Sequence, residues 1–216
     1  MKKGYLATCA LMALNIIITA AFILFMPEEV PLNTSLSGEV DRIGSRYENF
    51  IMPILAIAIG VFLILIAKFG AKDNERVMVK ANIGMQVFMI ALAVVWFSSS
   101  LSFDATDLSG LFGFSVLKFG AIGFGVLLIA FGNMMPKSSI NSVFGIRTHW
   151  SMSSEEVWQK THRFGGYVCI ISGLILVVFG VLLNGFLAIL SMIVITTICF
   201  TICIVASYRI YKDSLE

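Results

Sequence analysis

The residue types best able to do chemistry in this chain are concentrated in residues 132–166, between two long apolar runs. This segment holds both histidines, His149 and His162, and the adjacent carboxylates Glu155 and Glu156. Imidazole and carboxylate groups bind divalent metals, which raises a metal-dependent enzyme as one hypothesis. The spacing of these four residues matches no established metal-ligand motif, and the sequence contains neither HExxH nor GxSxG. We therefore predict no catalytic residue, no metal and no cofactor.

The four cysteines offer a second kind of chemistry. They are Cys9, Cys169, Cys199 and Cys203, and each lies in an apolar run without a CxxC pair. Cysteines in such surroundings behave as small hydrophobic side chains. We therefore expect neither a disulfide framework nor a metal site from them.

A local pattern indicates how the polar segment is positioned. Ser153 and Glu156 form the S-x-x-E pattern of a capping box, which predicts a helix that begins near Ser154. Trp150 and Trp158 are expected at the membrane interface, where amphipathic rings are enriched. One face of the predicted helix carries three residues: Trp158, His162 and Gly165.

The composition identifies the elements that surround this segment. Of the 216 residues, 58% are hydrophobic and 13% are charged, and the mean hydropathy is +0.94. Soluble domains are typically about 25% charged, so a separate soluble catalytic domain, a nucleic-acid-binding module and a disordered tail are excluded. The apolar runs lack the alternation of a barrel. They predict an all-α membrane protein with six transmembrane helices, at 5–26, 50–69, 83–101, 111–135, 164–183 and 186–208.

The lysines and arginines predict the orientation of these helices. With the N-terminus in the cytoplasm, 12 of the 15 basic residues fall on the inner side and only Arg42 and Arg46 fall outside. Lys118 lies within the fourth span. The positive-inside rule therefore predicts cytoplasmic N- and C-termini, and it places the segment between the fourth and fifth spans inside.

The predicted spans carry few polar groups. None holds an internal Asp or Glu, which argues against a proton-coupled transporter or an intramembrane aspartyl protease. Lys118 either extends to the outer headgroups or contacts a buried anion. The pairs Asn15/Thr19 and Asn82/Gln86 are expected to form hydrogen bonds between helices, and glycine rows in the fourth and fifth spans predict their close packing.

Several residues of the inner loop recur in a known order. They are Gly132-Asn133, Pro136-Lys137, Asn141, Gly145-Ile146-Arg147-Thr148, Trp150, Glu155 or Glu156, Trp158 and Lys160-Thr161-His162-Arg163. This order resembles the signature loop of the SdpI family, and the resemblance covers about residues 111–210. Pro27, Pro31 and the run Ser37-Gly38-Glu39-Val40-Asp41-Arg42 resemble the small membrane module that often precedes this domain. His149 stands where the family commonly has proline.

The resemblance implies a protein of the bacterial cytoplasmic membrane that gives self-resistance to a secreted antimicrobial peptide. Members of this family also act as receptors that hold a cytoplasmic transcriptional repressor at the membrane. The implied organisation is an N-terminal module of two helices and an acidic outer loop, residues 1–80, followed by a four-helix domain, residues 81–216. The implied partners are the killing peptide, that repressor and membrane lipids, with no direct contact to nucleic acid.

Two sets of residues follow from the resemblance. Ten residues of the inner loop are assigned a structural or signalling role: Asn133, Asn141, Gly145, Arg147, Thr148, Trp150, Trp158, Thr161, His162 and Arg163. Five residues of the outer loop are expected to face the peptide: Glu28, Glu29, Glu39, Asp41 and Arg42. The alternative is a small transporter or lipid-handling protein, in which Lys118 and the loop arginines contact an anionic substrate.

Overall fold

The computed structural model describes residues 2–34, 40–70, 74–101, 111–141 and 144–216. Within these residues, six helices are long and apolar enough to cross a membrane. They are α1 (Lys2–Phe25), α2 (Ile51–Leu65), α3 (Glu75–Leu101), α4 (Leu111–Met134), α5 (Glu155–Leu182) and α6 (Gly185–Asp213). The second span is longer than α2, because the flanking 3-10 and π turns extend it over Arg46–Phe69. The predicted six-helix membrane architecture is confirmed.

Two helices extend well beyond the apolar runs that predicted them. α3 begins at Glu75 rather than at residue 83. α5 begins at Glu155, before the apolar run 164–183, in agreement with the helix start predicted near Ser154. Both polar extensions start with glutamate, whose charge is favourable at the positive end of the helix dipole. Asn184 caps α6 by accepting a hydrogen bond from the backbone N–H of Leu187.

The chain forms two groups of helices. α4 packs extensively against α5, and α6 contacts both, whereas α1, α2 and α3 contact one another and α3 joins the groups through α4. The Tyr5 hydroxyl donates to Glu75 Oε1 over 2.8 Å, which places the start of α1 beside the start of α3. We call this the loop end, since the segment between α4 and α5 lies here.

The interface of α4 and α5 is a seam of glycines. A Cβ atom added to Gly132 would lie 2.5 Å from the backbone oxygen of Gly166, and one added to Gly125 would lie 2.7 Å from the backbone oxygen of Gly173. Neither position has room for a side chain, so the two backbones touch. The predicted close packing of these helices is confirmed.

The predicted polar pairs differ in outcome. Asn82 Nδ2 and Gln86 Nε2 donate to the backbone oxygens of Gly60 and Ala56 in α2, each over 2.9 Å, as expected. Thr19 instead donates within α1, to the Asn15 oxygen. Within the described part of the chain, the side chain of Asn15 has no hydrogen-bond partner. The pair Asn15/Thr19 therefore does not link two helices, contrary to the prediction.

A β-hairpin connects α1 to α2 at the opposite end of the bundle, which we call the hairpin end. Its antiparallel strands are β1 (Glu29–Thr34) and β2 (Val40–Ser45), and a 3-10 turn over Arg46–Phe50 follows. The sequence predicted only a loop here. Pro31 is tolerated in β1 because both strands of a two-stranded sheet are edges. The fully buried Val30 anchors the hairpin on an apolar cluster at the end of the bundle.

Candidate functional site

The segment between α4 and α5 folds over the loop end. We call its described residues, 135–141 and 144–154, the cap. Asn141 forms the first turn of the cap. Its Oδ1 accepts a hydrogen bond from the Phe144 N–H over 2.6 Å. Its Nδ2 donates to the backbone oxygens of Ser139 and Phe144 over 2.8 and 3.1 Å. The side chain therefore replaces the backbone partners that an irregular segment lacks, a typical use of asparagine in turns.

The centre of the cap is a contact between Gly145 and His162. Gly145 has a φ of 113°, and a Cβ atom there would collide with the imidazole ring. Next to it, the Ile146 N–H donates to His162 Nε2 over 3.0 Å. Since Nε2 accepts, the ring proton lies on Nδ1, which donates to the Trp158 oxygen over 2.8 Å. Glycine is required here both by its backbone conformation and by the closeness of the ring.

This arrangement bears on the hypothesis of a metal-dependent enzyme. Both ring nitrogens of the fully buried His162 are occupied by the backbone, so it offers no free ligand atom. His149 is exposed. The pair therefore gives no support to a histidine metal site, and His162 acts as a brace between the cap and α5.

Trp158 is buried inside the protein, which corrects the prediction that it lies at the membrane interface. Its Nε1 donates to the Ser138 oxygen over 2.7 Å, and its ring stacks on His162 with the centroids 3.8 Å apart. The indole N–H finds its partner in the cap rather than in water or headgroups, as buried tryptophan requires.

The helix cap of α5 also differs from the prediction by one residue. Ser154, not Ser153, precedes the helix and accepts from the Val157 N–H over 3.2 Å. The Ser153 hydroxyl instead donates to the Trp150 oxygen over 2.7 Å. The S-x-x-E pattern pointed to the wrong serine, because either of two adjacent serines can supply the side-chain oxygen that caps the helix.

The second half of the cap is attached to α6. The hydroxyls of Thr148 and Ser207 lie 2.7 Å apart, and Ser151 Oγ donates to the Ile146 oxygen over 2.6 Å. The Trp150 ring contacts the edge of Tyr208 with the centroids 5.2 Å apart. The cap thus holds α6 in place by a polar contact and an aromatic contact.

The first half of the cap is attached to α3. Asn74 Nδ2 donates to Ser139 Oγ, and the Ser139 N–H donates back to Asn74 Oδ1, each over 3.2 Å. Asn74 was not among the predicted site residues. The only sequence signal for a role of Asn74 was its place as a polar residue directly before a helix, which is common in any helical protein.

The remaining predicted residues of the loop fall into two groups. Thr161 is buried, whereas Asn133, Arg147 and Arg163 are exposed. The exposed arginines at the rim of the cap can bind anionic groups such as phosphate or carboxylate. Trp158 and His162 hold the cap together, whereas the Thr161 hydroxyl has no hydrogen-bond partner among the described residues. The predicted set therefore combines different roles.

The predicted outer set lies at the hairpin end, away from the cap. Glu28, Glu29 and Asp41 are exposed. Arg42 forms an ion pair with Glu48 over 2.7 Å. Glu39 and the segment 37–38 lie outside the described residues. The structure therefore places the two predicted sets at opposite ends of the molecule.

Sequence reasoning missed one cluster altogether. The Sγ atoms of Cys169, Cys199 and Cys203 all lie within 4.8 Å of one another, and all three residues are buried. The four-residue spacing of the two cysteines in α6 indicated a shared helix face. The third comes from α5, and only the packing of the two helices brings it there.

Comparison with known proteins identifies relatives of both halves of the chain. Residues 137–208 match the model of the SdpI/YfhL protein family, and residues 10–57 match a domain of unknown function (DUF1648). No solved structure matches the chain.

Two curated relatives come from Bacillus subtilis (strain 168). The chain is 24% identical to Immunity protein SdpI over 212 residues, which cover 98% of this chain and 97% of that protein. It is 38% identical to Uncharacterized protein YfhL over 82 residues, which cover 37% of this chain and 74% of that protein. With its six membrane-spanning helices, the chain is a multi-pass protein of the cytoplasmic membrane and belongs to the SdpI/YfhL protein family.

Proposed function

We propose that this protein gives the cell that makes it resistance to a secreted antimicrobial peptide. The observation that carries this proposal is the match to Immunity protein SdpI along nearly the whole of both chains. A match confined to the signature loop would support only a shared fold element. This one also includes the hairpin and the helices on either side of it.

In this proposal the hairpin end faces the outside and the cap faces the cytoplasm. The 12-to-2 distribution of basic residues supports this orientation. Fusion of a reporter to the C-terminus tests it directly, because alkaline phosphatase is active only outside and green fluorescent protein only inside. A phosphatase-active fusion would overturn the orientation.

The hairpin is the proposed contact for the peptide. It presents the exposed carboxylates of Glu28, Glu29 and Asp41 at the end of the bundle, on strands anchored by Val30. Exposed carboxylates on a well-anchored element favour a cationic partner and increase the rate at which it associates.

The cap is the proposed signalling element. Its exposed arginines, Arg147 and Arg163, lie on a framework held by Gly145 and His162, so they keep a fixed spacing. A cytoplasmic repressor that binds them would be held at the membrane. In a protein without such a partner, the same arginines would pair with anionic lipid headgroups.

Survival of a sensitive strain tests the proposal. Cells that express the wild-type protein should survive a killing peptide of the Sdp type, whereas cells with an empty vector should die. The paired variant Glu28→Lys/Glu29→Lys should lose protection at equal membrane abundance. Asn33→Lys is the control, because it places a lysine at an exposed position of the same hairpin without removing a carboxylate.

Three outcomes separate the parts of the proposal. No protection by an abundant wild-type protein would overturn the immunity function, and substrate uptake into vesicles would then support the transport alternative. Protection by the Lys variant would overturn the hairpin contact alone. If Arg147→Ala keeps protection but loses induction of a repressor-controlled reporter, the signalling role of the cap is supported. If both are kept, that role fails.

A further inference from the structure

The buried cysteine cluster has the dimensions of a metal site. Cys169 Sγ lies 3.8 Å from Cys199 Sγ, and Cys203 Sγ is within 4.8 Å of both. Three sulfurs placed about 2.3 Å from one ion in a plane are about 4.0 Å from one another. Shifts of well under an ångström would therefore bring all three thiols to one ion.

A fourth sulfur lies beside Cys169. Met135 Sδ is 3.9 Å from Cys169 Sγ, and Met135 itself is fully buried. The four sulfurs come from three separate segments: the turn after α4, the middle of α5 and one face of α6. The convergence does not follow from neighbouring positions in sequence, as it would in a CxxC loop.

The surroundings select a soft ion. Most buried neighbours of the cluster are apolar, and they include Met78, Val79 and Phe144. The buried Ser172, which hydrogen-bonds to Cys199, offers only a hydroxyl group. The histidine nearest in sequence to Cys169, His162, has both nitrogens occupied. Thiol and thioether ligands without nitrogen or carboxylate favour Cu(I), whereas Zn(II) prefers four thiolate or imidazole ligands.

The loading step balances through the thiol protons. Cysteine binds metal ions as the thiolate, so one proton is released to solvent for each Cu–S bond that forms with a cysteine. Met135 binds through its neutral thioether and releases no proton.

We propose that Cys169, Cys199 and Cys203, with Met135, form a binding site for one Cu(I) ion beneath the cap. The site joins α5 to α6 directly below the contact of Gly165 with Ile146, so the bound ion would fix the helix pair on which the cap rests. The proposal is independent of the immunity function, because it depends only on the sulfur geometry.

Titration of the full-length protein tests the site. The reduced protein in detergent, under anaerobic conditions with a non-thiol reductant, is titrated with Cu(I) against a chromophoric Cu(I) chelator. We expect one ion per chain and a sulfur-only coordination shell in X-ray absorption. Each of Cys169→Ser, Cys199→Ser and Cys203→Ser should weaken binding by more than about 100-fold, beyond the effect of residues outside the coordination shell.

Two further variants make the test specific. Cys9→Ser removes the exposed cysteine of α1 and should leave binding unchanged. Met135→Leu preserves the side-chain volume and should weaken Cu(I) binding at least about tenfold without unfolding the protein. The Met135→Leu variant therefore tests the site even if a serine variant fails to fold.

The opposite results are equally clear. Copper uptake that persists in the folded serine variants, or that disappears with Cys9→Ser, would overturn the site. So would a wild-type protein that takes up Zn(II) but not Cu(I), or neither ion, under the same competition.

Discussion

The loop end and the hairpin end use polar residues in opposite ways. At the loop end, polar side chains such as His162, Asn141 and Trp158 turn inward and bond to the backbone of the cap. At the hairpin end, the carboxylates Glu28 and Glu29 turn outward, and apolar contacts hold the element in place together with the hydrogen bond from Trp96 to Asn49.

This difference separates residues that maintain a shape from residues available to a partner. A buried hydrogen bond cannot be lost without leaving a polar group unsatisfied, so each change in the cap should destabilise the protein. An exposed carboxylate costs little to replace and is free to bind. We therefore expect stability to depend on the loop end and peptide recognition to depend on the hairpin end.

Gly145→Ala should give the largest loss of stability. The new Cβ would collide with the ring of His162 at a φ of 113°, and we expect a loss of about 3 kcal/mol in the free energy of unfolding. Equilibrium unfolding in mixed micelles measures it. The control is Gly84→Ala, where a Cβ meets nothing within 4 Å and the change should stay within about 0.5 kcal/mol. Equal effects would mean that the cap does not constrain the bundle.

Two tryptophans allow a matched comparison of the two ends. Trp158→Phe removes a fully buried hydrogen bond to Ser138 and should cost about 2 kcal/mol. Trp96→Phe removes the bond to Asn49 from a half-buried ring at the hairpin end and should cost about 1 kcal/mol. The same unfolding measurement compares them. A reversed order would contradict the contrast between the ends.

Asn74→Ala should detach the cap from α3. We expect a loss of about 1 kcal/mol and faster amide hydrogen exchange at Ser139, whose N–H donates to Asn74. Asn33→Ala on the exposed face of β1 is the control and should leave that exchange rate unchanged. Unchanged exchange in the Asn74 variant would show that the cap is held by α5 and α6 alone.

The smallest effect is expected for the exposed ion pair of the hairpin. Its side chains are 63% and 42% exposed, so Arg42→Gln should cost less than about 1 kcal/mol, and added salt should reduce the difference from wild type. Glu48 also bonds to the Ser45 N–H, so Arg42 is the cleaner member to change. A loss as large as that of Trp158→Phe would contradict the view that the hairpin is held by apolar contacts.

The sequence predicted the membrane-spanning architecture well because each span is a local property of about 20 residues. The same holds for the start of α5, apart from a choice between adjacent serines. The hairpin was missed because Pro31 argues against a strand and the segment is short. Its pairing depends on contacts of Val30 with the helix bundle, which no local pattern reports.

The candidate site could be predicted only as a set of positions. Resemblance selected His162 and Arg147 alike, yet one braces the cap and the other is exposed. Burial decides between these roles, and the burial of His162 arises from the packing of the cap against α5. The cysteine cluster was missed for the same reason, because Cys169 joins the other two only after the helices have packed.

The glycine seam between α4 and α5 has a mechanical consequence. Contacts between side chains can absorb a small movement by changing rotamers, but at Gly125, Gly132, Gly166 and Gly173 backbone meets backbone. The two helices cannot slide or rotate past each other without a collision. We therefore expect α4 and α5 to move together as one unit, so that a displacement at one face of the membrane is passed to the other.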